Sequence, residues 1–163
     1  MQKADVIKAV AALCLLALAV GLAVRFFISN KVSEKAFFYD LSEKKLFTAA
    51  RDQVPPIKGI NDAEEDAVRA VVISTTGKPE DKESWSIAYL EKYSPELREQ
   101  MIEAQKTGTS PRMGRVMAQA HRFVRRVNED RWHALNTEQG ERIVTDWATP
   151  GPHGITPIIC TPQ

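Results

Sequence analysis

The chain has 163 residues, 22 Lys and Arg against 21 Asp and Glu, and a net charge of +1. That length suits one domain of ordinary size plus a short extra segment, and the near-neutral balance argues against a generic nucleic-acid binder. The two cysteines, Cys14 and Cys160, stand near opposite ends with no C-x-x-C, which excludes a disulfide-built scaffold, a haem attachment site and a zinc knuckle.

The first predicted element is an apolar helix. Residues 9–24 are unbroken Ala, Val, Leu, Cys and Gly, and Phe26, Phe27 and Ile28 extend the run past Arg25. Twenty helical residues reach about 30 Å, the thickness of a bilayer's hydrocarbon core. The pattern therefore predicts a transmembrane anchor over residues 9–28, with 1–30 as tail and span and 31–163 as a water-soluble domain. Arg25 lies close enough to the end for its guanidinium to snorkel towards the headgroups. A cleaved signal peptide competes: Lys3 and Lys8 supply its basic start and Gly21-Leu22-Ala23 a cleavage site, but residues 24–28 make an odd mature start. A buried core helix fits less well, because the run is apolar on every face. Lys3 and Lys8 before the span balance Arg25, Lys31 and Lys35 after it. The short N-terminal tail then favours a single-pass protein of the cell membrane whose domain is exported to the periplasmic or extracellular side.

In the domain, Ala36-Phe37-Phe38-Tyr39-Asp40-Leu41 and Leu46-Phe47-Thr48 flank the polar Ser42-Glu43-Lys44-Lys45, the pattern of a β-hairpin. Val54-Pro55-Pro56-Ile57 cannot be a central strand, since two prolines remove two ladder donors. Asp62, Glu64, Glu65 and Asp66 read as a solvated acidic loop. Residues 68–74 are the best strand, β-branched and ended by Gly77-Lys78-Pro79, and Trp85, Ile87 and Tyr89 alternate as its partner. Ser94-Pro95-Glu96 starts a helix that Gly108 ends. Ser110-Pro111 repeats the start signal, with Met113, Val116, Met117 and Ala120 as a buried stripe and Arg112, Arg115 and Arg122 opposite it. A strand is predicted from Phe123. Trp132-His133-Ala134-Leu135 and Arg142-Ile143-Val144-Thr145-Asp146-Trp147 flank Glu138-Gln139-Gly140 as a hairpin, with Trp132 and Trp147 buried. Residues 155–160 close the chain as a short edge strand. The fold class expected is α+β: the transmembrane helix, then antiparallel hairpins or a meander with about two short helices.

Several of these segments carry a resemblance. Phe38-Tyr39-Asp40-Leu41, Leu46-Phe47, Val54-Pro55-Pro56-Ile57, Tyr89-Leu90-Glu91-Lys92-Tyr93, the stretch from Val124-Arg125-Arg126 to Trp132, and Pro157-Ile158-Ile159-Cys160-Thr161-Pro162 resemble a group of uncharacterised bacterial single-pass membrane proteins. The resemblance implies an anchored domain and no particular activity. Members of that group often carry paired cysteines just after the strand equivalent to residues 71–74; Ser74 to Gly77 has none here.

Chemistry-bearing motifs are sparse. His121, His133 and His153 have no metal-ligand spacing, no G-x-S-x-G elbow surrounds a serine, and the glycines are isolated. No catalytic residue, metal or cofactor is expected. The one asymmetry is a stretch without acids, between Ala104 and Asn128, that holds Lys106, Arg112, Arg115, Arg122, Arg125 and Arg126. Arg112, Arg115, Arg122, Arg125 and Arg126 are therefore the candidate interaction surface, for a membrane-protein partner or anionic lipid headgroups, against the plainer reading of a face neutralised by the protein's own acids. With the bilayer itself contacted through residues 9–28, the expected function is a non-enzymatic, membrane-anchored accessory domain of a larger membrane or envelope assembly. A pilin-like or pseudopilin-type subunit is the alternative on architecture, though residues 1–8 lack its processing pattern. An anchored sensor or enzyme without a recognisable motif is a third class.

Overall fold

The structure is a computed structural model that describes residues 15–23, 33–61, 64–151 and 154–162. The chain divides into two compact units, Met1–Val32 and Ser33–Gln163.

The first unit corrects the predicted anchor. Residues 15–23, the part of the run that is described, are helical and exposed. The remainder of the 9–28 run lies outside the described residues. Among the described residues no helix is long and apolar enough to cross a membrane. The transmembrane part of the expected fold, single-pass anchoring and the cell-membrane location built on it are therefore not supported.

The second unit is an antiparallel sheet with a few helices. Its strands are β1 (Lys35–Asp40), β2 (Lys45–Ala50), β3 (Val68–Ser74), β4 (Trp85–Tyr93), β5 (Arg122–Arg125), β6 (His133–Ala134) and β7 (Ile158–Ile159). The order across the sheet is β2-β1-β3-β4-β5-β6, and β7 pairs with the end of β3 through Ile73↔Ile159 and Ser74↔Ile158. β3 lies inside the sheet between β1 and β4, and Val68, Ala70 and Val72 on one of its faces join Phe37, Leu90 and Cys160 in one core cluster. Phe38, Ile57 and Ala67 form a second cluster. The adjacent phenylalanines of β1 thus serve different clusters, which is why Phe37 and Phe38 are both buried where a one-sided strand would alternate. A bulge between Val71 and Val72 shifts the β3–β4 register, with Val71 opposite Tyr89 and Val72 opposite Ile87.

The β1–β2 turn is held by Asp40, a fully buried carboxylate that forms no ion pair among the described residues. It accepts from Ser42 Oγ at 2.9 Å, Glu43 N at 2.8 Å and Ile60 N at 2.7 Å. The Glu43 amide, with the other donors, holds its pKa below the usual carboxylate value against the opposing effect of burial. A side chain at Gly59 would overlap Asp40 Oδ2, so glycine is required where this loop crosses the turn.

Helix α1 (Pro95–Thr107) forms where its signals predict. Ser94 Oγ accepts from Leu97 N at 3.2 Å, proline enters where no N–H is missed, and Gly108 ends the helix at φ 66°. It buries Leu97 and Ala104, while Arg98 Nε and Gln105 Nε2 donate to the Val54 and Asp52 carbonyls, at 3.3 and 2.7 Å. Helix α2 (Arg115–Ala120) starts after Gly114, not at Pro111, and buries none of its residues. The expected buried stripe is thus corrected: Val116 is 79% and Met117 60% exposed.

The predicted second hairpin is also corrected. Residues 138–145 are a helix, α3 (Glu138–Thr145), capped by Thr137 Oγ1 accepting from Gly140 N at 3.1 Å. Glu138 and Glu141 favour its first turn, Arg142 pairs with Glu138 one turn away at 2.7 Å, and Ile143 is buried. Gly140 is no turn residue: a Cβ there would overlap the Ala134 carbonyl, so its bareness lets α3 lie against β6. Trp132 packs partly buried against the first core cluster; Trp147 is half-buried and donates to Val144 O at 2.8 Å.

Candidate functional site

The five arginines singled out by sequence separate into three environments. Arg122 belongs to the sheet. It reaches from β5 to Glu91 of β4, a residue only 5% exposed, and donates through Nη2 to both carboxylate oxygens at 3.0 Å and through Nε at 3.3 Å. Tyr93, which stands opposite Arg122 in the β4–β5 register, has its hydroxyl pKa pushed up to about 12, first by burial and then by the Glu91 charge. The Arg122 guanidinium is therefore a structural partner of Glu91.

Arg126 is likewise occupied, reaching Glu129 at 3.0 Å and Asp146 at 2.9 Å. Arg125 donates to the Glu129 carbonyl, lies 5.0 Å from the Trp132 ring centroid, and has Asp130 3.9 Å away. Lys92 of β4 approaches the same indole, at 4.5 Å. Sequence reasoning did not single out Lys92, because it stands in an ordinary strand between Glu91 and Tyr93.

Arg112 and Arg115 are exposed and form no ion pair among the described residues. They flank the start of α2, which turns Val116 and Met117 to solvent. The helix is fixed at both ends. Before it, Met113 N donates to Gln100 Oε1 of α1 at 2.8 Å. After it, His121 is tied to Ser94 by Ser94 N donating to His121 O at 2.8 Å and by a 2.9 Å contact between Ser94 Oγ and His121 Nδ1.

That Ser94–His121 contact has the elements of a nucleophile and base, with Glu96 Oε2 3.8 Å from the ring. The geometry does not suit a relay. Serine and carboxylate both face Nδ1, whereas a relay needs them on opposite ring nitrogens. Ser94 Oγ is also engaged as the α1 cap. His133 lies half-buried in β6, and His153 and Asp62 lie outside the described residues. Among the described residues no group of three or more His, Cys, Asp or Glu is placed to hold a metal ion.

The second unit is thus an antiparallel sheet domain that presents a basic–apolar helix at its surface. Compared with protein-family models, curated proteins and solved structures, the chain has no match.

Proposed function

We propose that the chain is a non-enzymatic accessory domain that joins a larger assembly by docking helix α2 onto a protein partner. The observation that carries this reading is the outward side of α2. Val116 and Met117, at helical spacing suited to a core, are exposed, while Arg112 and Arg115 beside them lack acidic partners among the described residues. A single exposed apolar residue is ordinary, but two neighbours on a short helix secured at both ends form a preorganised knob. Burying each is worth about 1.5–3 kcal/mol. Unpaired arginines around an apolar centre favour a partner whose socket is apolar and whose rim carries carboxylates, since guanidinium forks match carboxylates and steer encounter. The absence of acids between Ala104 and Asn128 supports the same polarity.

The test compares the full chain with a Val116→Ser/Met117→Ser variant and an Arg112→Gln/Arg115→Gln variant in quantitative co-purification at low and physiological salt. Substitutions at such exposed positions change stability by about 0.5 kcal/mol or less, so the fold should survive. The expected result is one discrete protein species lost from both variants, with the arginine effect larger at low salt. Retention of that species by both variants contradicts the proposal. So does a dependence on the same residues for binding to anionic vesicles with no protein species involved, which would make the occupant a lipid surface.

A further inference from the structure

We infer that Lys92 and Arg125 form, beside Trp132, a binding site for a small oxoanion, a phosphate or carboxylate group. The register of β4 and β5 places the two cations together. Leu90 faces Arg125 and Lys92 faces Phe123, so Lys92 and Arg125 are diagonal neighbours on one face of the sheet, about 7–8 Å apart at the backbone. Both side chains then reach the same indole, at 4.5 and 5.0 Å from its centroid. One cation against an indole is favourable; a second beside it adds repulsion that the ring's quadrupole offsets only in part.

The protein's own acids do not complete this cluster. Glu91 adjoins Lys92 in sequence but alternates to the opposite face and is engaged by Arg122. Glu129 gives Arg125 only its backbone carbonyl, its carboxylate being paired with Arg126. Asp130 is fully exposed and stands 3.9 Å from Arg125. Lys92 has no ion pair among the described residues, and Arg125 Nε is a buried donor with no hydrogen-bond acceptor among them. Burial, and then the Arg125 charge, hold the Lys92 amine below the usual lysine range, as expected of a cation lacking its counterion. An oxoanion between the two side chains would accept from the ammonium and the guanidinium together, with Trp132 as one wall. This site is separate from the α2 surface and does not depend on its role.

The experiment titrates the full chain with inorganic phosphate and, separately, with malonate, holding ionic strength constant with chloride. Tryptophan fluorescence and the thermal midpoint are followed, and a Trp132→Phe variant assigns the fluorescence change. A saturable response is expected, at least tenfold weaker in Lys92→Gln and in Arg125→Gln and largely kept in Lys92→Arg. The tighter of the two anions distinguishes a tetrahedral phosphate from a carboxylate group. Lys45→Gln, at an exposed position of β2, removes the same charge elsewhere and should leave the response unchanged. No saturable response to either anion overturns the inference, as does an undiminished response in a Lys92→Gln protein with native circular dichroism, or an equal loss in Lys45→Gln. If Lys92→Gln does not fold, the Lys92 side-chain carbon shifts of the unaltered chain decide: a titration midpoint raised by saturating phosphate supports the site, and an unmoved one refutes it.

Discussion

Replacing Arg122 by Met should destabilise the domain more than removing both members of its pair. Glu91 is 5% exposed and receives three contacts from the Arg122 guanidinium, all at 3.0–3.3 Å. Deleting one partner of a buried pair costs about 3–5 kcal/mol, because the remaining charge is stranded out of water. Here the Arg122 side chain is 37% exposed, so water screens part of the interaction, and a cost of about 2 kcal/mol is expected, between the exposed and buried limits. The Glu91→Gln/Arg122→Met protein should recover about half of that loss, since no charge is then left unpaired. Urea denaturation of the full chain and its three variants, analysed as a double-mutant cycle, gives the coupling directly. An Arg122→Met protein within about 0.5 kcal/mol of the unaltered chain, or a double variant worse than either single one, would refute this account of the β4–β5 seam.

Asp40 should give the domain an acid-sensitive limb. Its folded pKa is depressed, so its contribution is complete above the unfolded carboxyl value of about 4 and is lost as pH falls through the lower folded value. Asp40→Asn should flatten stability measured between neutral pH and pH 3, and an unchanged acid slope would contradict this. Gly140→Ala should cost about 1–3 kcal/mol in thermal or chemical unfolding, through the overlap it creates with the Ala134 carbonyl. A neutral substitution there would mean that α3 moves freely against β6.

Much of the sheet was legible because local signals and tertiary context agree. The polar stretch between Leu41 and Leu46, the β-branched run of β3 and the Ser94-Pro95 to Gly108 punctuation each place an element near its observed position. The signals for α3 conflict. Gly140 looks like a turn residue and Ile143-Val144-Thr145 like a strand, and the deciding facts are the local Thr137 cap, which the turn reading of Gly140 outweighed, and the close approach of Gly140 to Ala134, which only the folded chain shows. Helix α2 shows a different limit. Periodicity identifies Val116 and Met117 as one apolar side, but only the folded chain shows that nothing in the described residues covers that side. The basic stretch likewise could not be divided from sequence, because Glu91 and Asp146 come from distant elements to occupy Arg122 and Arg126. Residues 9–28 show hydropathy acting alone: composition suggests a span, whereas among the described residues no helix is long and apolar enough to cross a membrane.

The proposed role of α2 is tested most directly by a photo-crosslinking residue placed at Met117 of the full chain in its native cells, with the same residue at Thr48 of β2 as an exposed control. The account predicts one discrete adduct from position 117, absent from position 48, weakened by Arg112→Gln/Arg115→Gln and joined to a partner segment that is apolar and rimmed by Asp or Glu. Identical adducts from both positions, or no adduct from position 117 under conditions where the control chain is abundant and folded, would contradict it.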